Sequence, residues 1–210
     1  MGQRLNIEIR KNGELLANSY YHWSGYTSPA IELSIDAIMG SFSVKNPIKN
    51  DDKGFAIKML ESTGAGLVEE EYETLSDNLK KVFNKGIDRD DGLIAFNANA
   101  MENFDSWAEE FMTIDFNTDK KLDELTPEEI IDTVSVNADC ICRWDDDDAL
   151  DYFDGDKNKL DNLPVIPIDE LDGLDLNNLF VYNTLLPMIN NEFSGWFKTI
   201  CNNDFCQTIE

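Results

Sequence analysis

The chain has 210 residues, of which 42% are hydrophobic and 10% aromatic. A chain of this length buries roughly 70% of the surface its unfolded form exposes, so it can build a core without disulfide or metal staples. It carries 42 acids against 17 bases, a formal net charge of −25. That balance argues against direct binding to DNA, RNA or anionic lipid, which runs on Lys and Arg neutralising phosphates.

Residues 3–10 alternate, with Leu5, Ile7 and Ile9 on one face and Arg4, Asn6, Glu8 and Arg10 on the other. This is the period of a half-buried strand. The stretch from Met1 to Arg10 has no apolar run of the export kind, and no segment approaches the ~20 apolar residues of a membrane span. The expected location is the cytoplasm. Asn12-Gly13 is a strong two-residue hairpin signal, so residues 14–23 are predicted to return as a second strand. Ser28-Pro29 suits a helix start, with Ile31, Ile35 and Ile38 on one stripe to about Gly40. Residues 44–52 read as a loop, and 53–62 as a short helix with Gly64 at its C-terminal end. Residues 69–84 read as one helix, acids first and lysines last, in the order that suits the macrodipole.

Residues 92–96 are predicted as a strand, 103–110 as a helix and 111–116 as extended. Thr126-Pro127-Glu128-Glu129 is a capping box with proline at the first helical position, so a helix is expected to about Val134. Residues 138–144 read as a strand and 176–189 as a helix. Residues 196–200 and 205–209 suit a closing hairpin. The sum is an α+β fold: an N-terminal β-hairpin and several helices packed on a mostly antiparallel sheet. One domain over 1–210 is expected, with residues 1–93 and 94–210 as its two lobes. No internal repeat is present.

Several constellations bear on chemistry. Cys140, Cys142, Cys201 and Cys206 stand at C-x-C and C-x-x-x-x-C spacings. With His22 as the only histidine, they read as reduced thiols and not as a zinc site. Asp115, Asn117, Asp119 and Asp123 occupy positions 1, 3, 5 and 9 of a calcium-loop pattern. Lys120 stands where that loop needs glycine, and Thr126 where it needs a bidentate Glu. No nucleophile elbow, phosphate loop or dinucleotide fingerprint occurs. No catalytic residue and no cofactor is assigned. The run Tyr20-Tyr21-His22-Trp23 reads as hairpin packing, with its exposed members available as partner anchors.

The charge is uneven. Residues 1–93 hold 15 acids and 11 bases; residues 102–175 hold 24 acids and 5 bases, a net of −19. Carboxylates at i and i+2 on a strand stand about 6.6–6.8 Å apart, and those at i and i+3 or i+4 on a helix about 5–6 Å apart. Both approach the phosphate spacing along a DNA strand, about 7 Å. Partner-binding residues are therefore expected among Glu109, Glu110, Glu128, Glu129, Asp139, Asp145, Asp146, Asp147, Asp148, Asp151, Asp154, Asp156 and Asp161.

Two stretches carry a resemblance. Gly2-Gln3-Arg4-Leu5-Asn6-Ile7-Glu8-Ile9 through Leu16 to Ser24, and Arg89-Asp90-Asp91-Gly92-Leu93-Ile94-Ala95, are similar to uncharacterised proteins carried by phages and prophages of Firmicutes. Size and charge resemble, by analogy of strategy, the acidic phage proteins that mimic DNA, the anti-restriction and anti-CRISPR inhibitors. The resemblance implies a non-enzymatic inhibitor whose partner is a basic nucleic-acid-binding host protein, a nuclease or CRISPR effector. Two alternatives stay open: a Ca²⁺-binding acidic protein centred on Asp115 to Asp123, and an acidic-site hydrolase. An inhibitor acting through its aromatic N-terminal half, with the charge only deterring nucleic acid, is a further variant.

Overall fold

The alternation at Leu5, Ile7 and Ile9 puts three apolar side chains on one face of a strand, and all three are fully buried. In the computed structural model, which describes residues 4–25 and 27–139, this strand is β1, Leu5–Lys11, and it pairs antiparallel with β2, Glu14–Tyr21. The expected turn joins them. Asn12 and Gly13 both take positive φ, 50° and 80°, the requirement of a type I′ hairpin turn. A register shift between Ile9 and Arg10 marks a bulge.

β1 also pairs with β5, Glu110–Phe116, in parallel, and β5 pairs antiparallel with β6, Val134–Asp139. On the other side β2 pairs antiparallel with β4, Leu93–Ala95, which pairs in parallel with β3, Gly66–Leu67. The result is one six-stranded mixed sheet, mostly antiparallel, in the order β3-β4-β2-β1-β5-β6. Strands from both sides of position 93 share it.

One face of this sheet is covered by α1, Thr27–Ser41, and α2, Asp52–Glu61. Ile35, Ile38, Phe55, Met59 and Leu60 bury themselves there with Leu5, Ile7, Ile9, Met112, Ile114 and Phe116. Asp51 caps α2, its side chain accepting from the Lys53 amide. Among the described residues, the other face carries α4, Ala98–Trp107. It forms a smaller core in which Met101 and Phe104 meet Tyr20, Val68 and Ala95. The capping box of Thr126 and Glu129 starts α5, Pro127–Thr133.

Three expectations need correction. The single helix over 69–84 is broken: α3 spans only Glu69–Thr74, Leu75 turns extended, and a 3-10 turn follows at Leu79–Lys81. The chain must double back so that Asn84 and Gly86 can bond the edge of β3, with Leu67 N to Asn84 O at 2.9 Å and Gly86 N to Leu67 O at 2.8 Å. A 16-residue helix would run about 24 Å and carry those residues away. The helix expected at 103–110 lies earlier, as α4, because Glu110 belongs to β5. The strand expected from 138 begins at Val134. The two-residue β3 had no periodic signal and was missed. The helix expected at 176–189 and the hairpin at 196–209 lie outside the described residues.

Candidate functional site

The acids of the molecule fall into two groups. Near β3 Glu61, Glu69 and Glu73 are matched by lysines, while Glu70, Asp90 and Asp91 are exposed with no ion pair among the described residues. Lys85 Nζ meets Glu69 at 2.6 Å and Glu73 at 3.6 Å, Lys80 meets Glu73 at 2.6 Å, and Lys58 pairs with Glu61. Near β5 the bases run out. Lys120 pairs with Glu129, and Lys121 reaches away to Asp52. Glu102, Glu109, Asp119, Glu124, Glu128 and Asp132 are all exposed. Among the described residues, no Lys or Arg ion pair holds any of them.

The predicted partner-binding acids divide accordingly. Glu109 and Glu110 sit where α4 hands over to β5, both amides donating to Arg4 O at 3.1 Å. Strand alternation then turns Glu109 outward and Glu110 inward, in phase with Met112 and Ile114. Glu110 is only 4% exposed, and its Oε2 has no partner. Burial pushes this carboxyl up to about 7; Glu109 adds to the rise and Arg4 opposes it. Glu110 is thus buried in the sheet, with little of its surface open to a partner. Glu129 is committed to its capping box, accepting from Thr126 N at 3.2 Å, and to Lys120. The Lys120 bond, then the Thr126 amide, hold its carboxyl below the usual range. Glu128 is exposed in the first turn of α5. Asp139 ends β6 opposite Phe111. Asp145 to Asp148, Asp151, Asp154, Asp156 and Asp161 lie outside the described residues.

The calcium-like residues are drawn apart by other duties. Asp115 accepts from the Gly13 amide at 3.0 and 3.3 Å and anchors the hairpin turn. The Asn117 amide donates to Thr133 O and Ser135 Oγ. Asp123 accepts from the Asn50 amide at 3.1 Å, and Asp119 is exposed. A calcium loop of this type joins two helices, whereas here a strand enters and a 3-10 turn at Leu122–Glu124 follows. Among the described residues no three His, Cys, Asp or Glu side chains are placed to hold a metal.

A second surface lies over β2 and β4. Its helix, α4, is held at two points. Glu71, 4% exposed, accepts from Phe96 N at 2.9 Å and Asn97 N at 2.8 Å, satisfying donors at the helix start. Burial raises the Glu71 carboxyl against the pull of those two amides. Further along, Asp105 Oδ1 accepts from Asn6 at 2.8 Å and Asn18 at 3.4 Å, both fully buried. Burial, then the nearby Glu8, raise the Asp105 carboxyl.

No protein-family model, curated protein or solved structure matches this chain. Among the described residues, no helix is long and apolar enough to cross a membrane.

The aromatic run at 20–23 splits between core and surface. Tyr21 is buried and bonded to Thr63 Oγ1 at 2.5 Å, its phenol pushed up to about 12 by burial. Tyr20 packs on Phe104 and Trp107, with ring centroids 5.7 and 5.6 Å away. His22 bonds Tyr20 Oη at 3.1 Å and stands edge-on to Trp23, which is 54% exposed. The expected core role therefore holds for both tyrosines, and Trp23 is left outside. Sequence reasoning missed Ile87 and Trp107, which are 94% and 46% exposed. They flank a groove of about 800 Å³ also lined by Leu93 and Phe104. No spacing rule joins residues 20 apart; only the return of the chain along β3 brings them together.

Proposed function

We propose that this chain is a phage-encoded acidic binding protein that inhibits a host nucleic-acid-binding defence protein, a CRISPR effector or restriction nuclease, by occupying its basic groove in place of nucleic acid. It acts in the host cytoplasm, by binding and not by catalysis. The observation that carries the reading is the charge partition: 24 acids against 5 bases over residues 102–175, with 15 against 11 over 1–93. A single-sign field of that size destabilises the fold by self-repulsion and draws cationic partners from beyond contact range. The exposed acids around β5 support it. Glu128 and Asp132 stand at i and i+4 on α5, about 5–6 Å apart. Side chains fixed on a helix bind without further loss of loop-ordering entropy. The resemblance to phage and prophage proteins supplies the setting.

The test is competition. Added to an effector or nuclease of this class, the chain should displace duplex DNA. Its apparent affinity should fall at least tenfold between about 50 and 300 mM salt, because exposed charges are screened. Displacement that ignores salt, or no displacement across a panel of such proteins, overturns the reading.

A further inference from the structure

The groove beside α4 is a feature that the acidic-mimic reading does not use. Its apolar members include Leu93, Phe104, Trp107 and Ile87. Ile87 is 94% exposed and belongs to neither buried apolar cluster of the described residues. A single exposed apolar residue is ordinary, but one that joins a half-exposed tryptophan across a groove of about 800 Å³ marks a contact surface. Tryptophan in such a setting is a frequent energetic anchor. The groove is also preformed, since Glu71 ties the start of α4 to α3 and Asp105 ties the helix to β1.

The rim decides the chemistry of the occupant. Glu69 and Glu70 line the groove. Its one cation among the described residues, Lys85, is already paired with Glu69 and Glu73. An adjoining cavity that shares Lys85, Gly86 and Ile87 is lined by Asp90 and Asp91. An apolar floor with an acidic border rejects nucleic acid and anionic lipid, and fits a segment whose apolar face is flanked by Lys or Arg.

We propose that the groove between residues 85–87 and α4 docks an amphipathic basic helix of a partner protein. The apolar side of that helix rests on Ile87, Phe104 and Trp107, and its cations meet Glu69 and Glu70. This is helix-in-groove recognition, read by anchors at i, i+3, i+4 and i+7. It does not depend on the mimic reading, which places the contacts on other acids. Peptide binding with no DNA displacement leaves this proposal standing and removes the other, and the reverse result does the opposite.

The experiment is calorimetry on the full chain with three probes. The first is a Leu/Lys peptide of about 18 residues with leucines on one helical face. The second is the same composition scrambled, and the third is oligolysine of equal charge. The Leu/Lys helix should bind at least about tenfold more tightly than the scrambled peptide. Ile87→Ser, at a site too exposed to disturb folding, and Trp107→Ala should each cut that binding about tenfold and leave oligolysine unchanged. Glu70→Gln should weaken it about threefold. Equal binding of all three probes, indifference to Ile87→Ser, or no binding of the Leu/Lys helix overturns the proposal. Sedimentation is run on the same samples. Self-association that Ile87→Ser abolishes would assign the groove to a second copy, and overturns it equally.

Discussion

The two ends of the sheet differ in how many of their acids are put to work. At the β3–β4 end four carboxylates are given a task, while Glu70, Asp90 and Asp91 stay exposed with no ion pair among the described residues. Glu69 and Glu73 hold Lys85 and Lys80, Glu61 holds Lys58, and Glu71 caps backbone donors at the start of α4. At the β5–β6 end Glu102, Glu109, Asp119, Glu124, Glu128 and Asp132 face solvent without a basic partner among the described residues. Glu129, Asp115 and Asp123 are tied in place, and Glu110 is hidden. The same residue types thus serve architecture at one end and leave a field at the other. Net charge by itself does not tell the two apart; the supply of nearby bases and backbone donors does.

The sharpest way to break the comparison is to remove a working carboxylate. Glu71→Ala would leave the Phe96 and Asn97 amides, whose bonds to it are part-buried, without that acceptor, a loss of about 1–3 kcal/mol. Urea unfolding should show it, along with loss of the groove's peptide binding. A loss below about 1 kcal/mol would mean that α4 is anchored elsewhere.

Glu110 comes next, with a defined pH dependence. Its folded carboxyl titrates near 7, above its ordinary 4.5, so the folded state holds a proton that the unfolded state gives up. Stability is then full below about 4.5 and falls as pH rises through 7. Glu110→Gln should therefore gain on the order of 1–3 kcal/mol relative to wild type at pH 8, and nothing at pH 4. Equal effects at both pH values would mean that Glu110 is paired.

Gly66→Ala tests the close approach that brings Ile87 to the groove. A Cβ there would fall 2.5 Å from Gly86 N and 2.6 Å from the Lys85 carbonyl carbon, both backbone atoms. A loss of about 1–2 kcal/mol is expected, with weaker peptide binding in parallel. The smallest effect belongs to the exposed field. Asp132→Asn, near the C-terminal end of α5, should raise stability by a few tenths of a kcal/mol at low salt, through the helix dipole and relieved repulsion. The gain should vanish at about 0.5 M salt, as thermal melts would show.

Much of this arrangement was legible in advance where the cause is local. Asn12-Gly13 dictates a turn that matches the strand twist, and Thr126 to Glu129 satisfy each other's amides within one turn. The inward turn of Glu110 was also written in the chain. Glu110, Met112, Ile114 and Phe116 form one period-two series, and starting the strand at Phe111 hid it. The break after Thr74 was not legible. Residues 69–84 carry a sound helical stripe, and it was overruled by the hydrogen bonds that Asn84 and Gly86 make with Leu67.

The amino-acid sequence alone therefore determined the hairpin, the α+β class, the helix caps and the unequal charge of the two halves, because each depends on neighbours a few residues apart or on a simple count. Tertiary structure alone decided that β1 lies parallel to β5, that Glu71 spans from α3 to the start of α4, and that Ile87 and Trp107 share one groove. Those contacts join residues 20 to about 100 positions apart, and their energy appears only after the sheet has paid the entropy of closing the loops between them.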